Sequence, residues 1–212
     1  MKNMLGMAAV AGALLVMAQV DGAAAADLSV AGRIQPSGAC SLALGNGGTV
    51  DLGTISSRRL KDDRPTFIGR PFLSLAIDCQ TPSRIAIRAI DNRANTADRK
   101  GRYGLGAIRG NNTGSYLWAP MDRLGDGKPL VQVYYRNGAW QSIDSVSAAA
   151  YMYPDELSSW AEPGDDATIT PQAFKNIAGS IYISVEVAPA SELDLSQEIA
   201  IDGSATMELV YL

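Results

Sequence analysis

Apolar and polar residues alternate along most of this chain with a period of two, the spacing of a half-buried strand. Leu28, Val30 and Ile34 recur at even positions near the start. Residues 72–77 alternate and lead into Cys79, and residues 84–90 form an isoleucine-rich run. Residues 130–135 and 139–142 flank Asn137-Gly138. Asn-Gly between two such runs predicts a hairpin with a tight turn. Residues 180–187 alternate again and stop at Pro189. After the turn signal Asp202-Gly203, the chain closes on Ala205, Met207, Leu209 and Tyr211, all on one face.

Helical signals are sparse. Residues 154–160 could make one or two turns, with Asp155 and Glu156 early, where the helix dipole favours acids. Gly45-Asn46-Gly47-Gly48 reads as a turn. Gly104-Leu105-Gly106 reads as a loop, because no βαβ unit surrounds it. Many short strands with Gly- and Pro-containing turns predict an all-β sandwich. Leu75, Ile77, Ile85, Ile87, Val133, Ile183 and Val185 are expected in its core.

The first residues break this pattern. Lys2 precedes a largely apolar run over residues 4–20, and Ala23 to Ala26 offer small cleavage positions. Residues 1–26 read as a signal peptide. That leaves residues 27–212 as a single exported domain with no stable membrane insertion. Its size suffices for one core.

The formal net charge is -4, and the basic residues are dispersed, so no nucleic-acid-binding face is expected. Arg58-Arg59-Leu60-Lys61 and Arg99-Lys100-Gly101-Arg102 read as solvated loops. Cys40 and Cys79 are the only cysteines, and an even pair in an exported chain implies one disulfide. Histidine is absent, which removes Ser-His-Asp and Cys-His catalysis and histidine metal sites. Neither a metal nor a cofactor is expected. Asp155 with Glu156, and Asp165 with Asp166, are adjacent acids whose side chains usually diverge, so they read as loop residues rather than a carboxylate catalytic pair.

The order of these pieces resembles a pilin subunit of the chaperone–usher pathway of Gram-negative bacteria. The matching residues are 32–40, 50–55, 73–79 and 205–212. Residues 193–195 and 201–206 further resemble a little-characterised group of fimbrial-like proteins known only as a domain of unknown function. The resemblance implies an immunoglobulin-like sandwich lacking its final strand. A periplasmic chaperone would complete it by β-strand addition, and an outer-membrane usher and other pilin subunits would be further partners. Met207, Leu209 and Tyr211 would face the added strand, with the Leu212 carboxylate against basic groups of the chaperone. Leu28, Val30 and Ile34 are the candidate donor strand. Only five residues precede Gly32 after cleavage, which is short for a pilin extension. The expected location is the periplasm or the cell-surface fimbrium, and the expected role is structural rather than enzymatic.

A second reading stays open: a self-complete secreted sandwich that binds a glycan or small molecule. Tyr103, Tyr116, Trp118, Tyr134, Tyr135, Trp140 and Trp160 make the middle of the chain aromatic. In a sandwich such residues are expected mostly in the core or as cross-strand pairs.

Overall fold

A computed structural model describes residues 39–143, 145–164 and 170–212. The expected signal peptide, the candidate donor residues Leu28, Val30 and Ile34, and the Asp165–Asp166 pair lie outside the described residues. The described chain is all β, apart from short 3-10 turns at Gly45–Gly48, Ser57–Arg59 and Ala190–Glu192. Its strands are β1 (Cys40–Leu44), β2 (Thr66–Gly69), β3 (Phe72–Asp91), β4 (Tyr103–Gly104), β5 (Ala107–Ile108), β6 (Asn111–Asn112) and β7 (Gly114–Gly125). They continue as β8 (Lys128–Pro129), β9 (Val131–Arg136), β10 (Ala139–Ser142), β11 (Leu157–Ala161), β12 (Ala173–Val187) and β13 (Ala205–Tyr211).

The 20-residue β3 organises the molecule. The sequence predicted two strands here, and they are one. Leu73, Leu75, Ile77 and Cys79 face inward, and so do Ile85, Ile87 and Ala89, all in one parity. The partners change where Pro82 interrupts the ladder, since proline has no N–H to donate. Before it, β3 lies between β1 and β12; beyond it, β12 continues to Ser83 and Arg84, then β11 takes that edge at Ile87 and Arg88 while β13 lines the other. All of these pairings are antiparallel. The strand path runs β10-β9-β11-β3-β12-β7-β4. The two sets of strands meeting on β3 bury a common cluster, including Leu75, Ile77, Ile85, Ile87, Trp118, Trp160, Ile177, Ile181 and Val185. This arrangement is consistent with a sandwich.

The disulfide joins Cys40 to Cys79, directly opposed across β1 and β3 with Cα atoms 3.9 Å apart. It ties the first described strand to the organising one. Asn137 (φ 54°) and Gly138 (φ 83°) turn β9 into β10, as the Asn-Gly signal predicted.

One sequence expectation fails. Residues 157–161 form β11 rather than helix, paired with β9 and β3. Its inward side chain Trp160 is 1% exposed, and that burial outweighs the weak local helix signal. Val133 is buried as expected, in a small cluster with Val131 and Ala161, while Ile183 is half-buried against the main core. The neighbours of Val133, Gln132 and Tyr134, have the opposite parity, and Tyr134 joins the main core.

The predicted aromatic core holds for Tyr103, Tyr116, Trp118, Tyr134 and Trp160. Trp118 Nε1 donates to the Tyr103 hydroxyl (3.1 Å), which lies within hydrogen-bonding distance of the Ala89 and Tyr153 carbonyls. Tyr135 and Trp140 instead form an edge-on cross-strand pair, centroids 5.3 Å apart. Arg123 is 3% exposed and donates to the carbonyls of Pro120, Leu130, Ser145, Val146 and Ala148. These bonds compensate its burial and anchor residues 145–148 to the body.

The loop expectations for charged residues hold only in part. Glu156 is clamped by Arg136, whose guanidinium also lies over the Tyr134 and Tyr153 rings. Arg99 and Arg102 both pair with Glu186. Gly104 belongs to β4 and is packed so closely that a Cβ would lie 2.6 Å from the Arg93 carbonyl.

Candidate functional site: an open groove beside the C-terminal strand

The site begins with the register of β13. Ala205 lies opposite Asp91, and Tyr211 opposite Ile85. The flanking bonds Asn92 N to Ser204 O and Leu212 N to Arg84 O are each 3.0 Å. Antiparallel ladders alternate hydrogen-bonded and non-hydrogen-bonded pairs, so the even-numbered residues of β13 bond to β3. The N–H and C=O groups of Ala205, Met207, Leu209 and Tyr211 therefore point to the other edge. Among the described residues, β3 is the sole strand partner of β13.

Beside that edge lies a groove of ≈ 920 Å³. Its floor is apolar and rigid: Ile181, Ile183, Val185 and Val187 from β12, Leu73 from β3, and Tyr116 and Trp118 from β7. Each comes from a strand with ladder partners, which fixes the floor. One flank is residues 48–55, which have no ladder partner; Val50, Leu52 and Ile55 are half-buried there. The other flank is residues 197–201, Gly203, Ser204, Ala205 and Met207, with Leu193 and Leu195 at its far end. At Gly203 the wall approaches the body closely. A Cβ there would lie 2.9 Å from Leu105 Cδ2 and 3.1 Å from the Tyr116 ring.

Ionic clasps hold this second flank. Arg109 donates to Asp194 (2.7 Å) and to the Gln197 side-chain oxygen. The Asp194 carboxyl sits below its ordinary pKa, first because the Ser196 hydroxyl and backbone N–H donate to it, with Gln197 and Arg109 adding to the effect. Arg93 pairs with the Asp202 carboxylate and donates through Nε to the Asp202 carbonyl, while Asp202 N donates to Leu105 O (2.9 Å).

The residues singled out from the sequence take different places. Met207 lines the groove. Leu209 packs on the core beyond it, and Leu212 is exposed. The Tyr211 ring is 48% exposed, and its hydroxyl accepts a 2.7 Å hydrogen bond from Cys40 N. It thus links the end of β13 to the disulfide-bearing strand. Sequence reasoning missed Ile199 and Ile201, although they continue the odd-numbered alternation of β13 upstream of its turn. It also gave no role to Ile181 and Val187 in a groove floor, because their burial pattern is that of any core strand. Among the described residues, no three acidic or cysteine side chains come together as a metal site would need.

Comparison with known proteins gives a family model and similar chains. The family described as "Protein of unknown function (DUF1120)" matches residues 28–132. Two proteins of Escherichia coli (strain K12) are similar at 26% identity. One is "Uncharacterized protein YhcF", matched over 82% of this chain and 85% of its own length. The other is "Protein GltF", matched over 88% of each.

Proposed function

We propose that this chain is a strand-accepting, fimbrial-type subunit or accessory protein of the exported compartment, structural rather than enzymatic. A periplasmic chaperone lays an extended strand into the groove, and the usher and other subunits are its later partners. The observation that carries the reading is the coincidence of two features: a strand, β13, with one edge unpaired among the described residues, and a groove with an apolar floor beside that edge. Main-chain groups of Ala205 and Met207 supply bonding along the edge, and the β12 floor supplies pockets for alternate apolar side chains. An exposed edge of this kind is an aggregation hazard unless covered, which gives a chaperone its purpose. Leu28, Val30 and Ile34 of another copy are the candidate strand that replaces the chaperone's.

The test is periplasmic co-expression with the cognate chaperone, followed by co-purification. The full chain is expected to co-purify. A chain truncated before Thr206 is expected to be lost from the complex, and unchanged capture of it would overturn the reading. A full-length protein recovered as a stable monomer without chaperone would do the same.

A second reading, sugar binding by a self-complete sandwich, has one observation in its favour. Phe72 (66% exposed) pairs with the Tyr182 ring at 5.8 Å, and exposed Phe67 lies in the adjoining β2 strand under Arg70. Aromatic rings of this kind can stack on sugar faces. Binding to a glycan array that disappears in Phe72→Ala would favour it over strand acceptance.

A further inference from the structure

The free edge of β13 is shorter than the groove beside it. The groove continues past Ala205 to Ile199 and its neighbours, where the wall belongs to no strand. Among the described residues, no hydrogen bond engages the backbone of residues 198–201. Glu198 and Ala200 are exposed and Ile199 and Ile201 half-buried, so the donors and acceptors of this run are committed to no protein partner.

Three features align this run with β13. Ile199 and Ile201 share the parity of Ala205 and Met207, and all four line the groove. Asp202 N already donates to Leu105 O on the body side, and Ser204 O accepts from Asn92 N on that same side. Even-numbered residues therefore bond to the body across the turn as well as along β13. If the run is extended, the main-chain groups of Ile199 and Ile201 point into the groove, as those of Ala205 and Met207 do. Finally, Arg109 at Asp194 and Arg93 at Asp202 pin the run at both ends, limiting the order it still has to gain.

We propose that residues 198–203 are a latent strand, which pairs with the inserted strand and lengthens β13 upstream when the groove is filled. This rests on the strand-acceptor reading above and extends it. The docking edge runs from Ile199 to Met207 rather than along the last residues of the chain. Nine residues of strand span about 30 Å. The occupant argued for is the segment 27–38 of a second copy. Those twelve residues lie ahead of the first described strand, reach about 40 Å when extended, and carry Leu28, Val30 and Ile34 at even spacing.

The experiment is residue-resolved amide exchange by NMR on the exported protein, with and without a synthetic peptide of residues 27–38. With saturating peptide, exchange should slow by about tenfold or more at Ile199, Ile201, Ala205 and Met207. Asp202 is already bonded and should change little. Protection at Ala205 and Met207 without protection at Ile199 and Ile201 would overturn the latent strand and leave the groove reading standing. No protection at any of the four would overturn both. As a second measurement, Ile199→Ser, at a groove-lining position outside the main core cluster, should raise the peptide Kd about tenfold while the melting midpoint of the free protein stays near that of the parent. An unchanged Kd would also overturn the proposal.

Discussion

β12 and β13 are written in the same pattern and live in different surroundings. Both alternate apolar and polar residues, and both pair with β3. β12 has ladder partners on both sides, β3 and β2 along one edge and β7 along the other. β13 has β3 alone among the described residues. On β12, Ile181 and Val185 are 1% and 2% exposed and, of its isoleucines and valines, only Ile183, over the groove, is half-buried, whereas on β13 Met207 and Leu209 are both half-buried. The lesson is that an alternating sequence specifies a strand with an inward face, while the number of its neighbours is settled elsewhere. Where a strand has one neighbour, its remaining main-chain groups are available for function.

The comparison can be broken most severely on β12. Ile181→Ala removes a fully buried side chain from the shared floor and should cost about 2–5 kcal/mol in chemical denaturation. The larger share of the loss should fall on the free protein, with a smaller effect on strand capture through the groove floor that Ile181 lines. Next comes the disulfide. Replacing Cys40 and Cys79 together by serine should cost about 3–4 kcal/mol, read from the denaturation midpoint of the oxidised parent against the variant. It should also loosen the Tyr211 contact, because Cys40 N is its donor.

On β13 the balance should reverse. Met207→Ser should lower the stability of the free protein by about 1–2 kcal/mol, less than full burial would give. Its larger effect should fall on capture by the chaperone, so equal losses in both assays would erase the distinction between the two strands. Tyr211→Phe deletes one hydrogen bond and should cost about 1 kcal/mol in thermal unfolding. The smallest effect belongs to the clasp at the groove's far flank. Asp194 has a depressed pKa, so its contribution is present above the ordinary carboxyl range and lost as pH falls through the lower folded value. Asp194→Asn should flatten that acid limb, followed through the amide signals of residues 193–197.

Much of this was legible beforehand. The strand runs, the Asn137-Gly138 hairpin, the disulfide and most of the aromatic core follow from spacing and residue type, because side-chain parity is a local property. What was not legible has a common cause. Residues 157–161 carry a weak helical signal and form a strand because β9 and β3 offer ladders on both sides. Val133 alternates correctly, yet it faces a second small cluster, and no local pattern says which face of a strand meets which layer. The Tyr211 hydroxyl is engaged by Cys40, a residue 171 positions away, a contact that no local pattern announces.

By itself, then, the sequence determined the strand periodicity, the inward parity of each run and the cysteine pair. Those depend on residues a few positions apart and on composition. Only the tertiary structure decided that β3 would be one strand serving two sets of partners, that β12 would be enclosed and β13 open, and that residues 48–55 and 197–207 would flank a single groove. These are matters of which distant segments become neighbours. Burial of a common apolar face selects those neighbours, and no local spacing records the outcome.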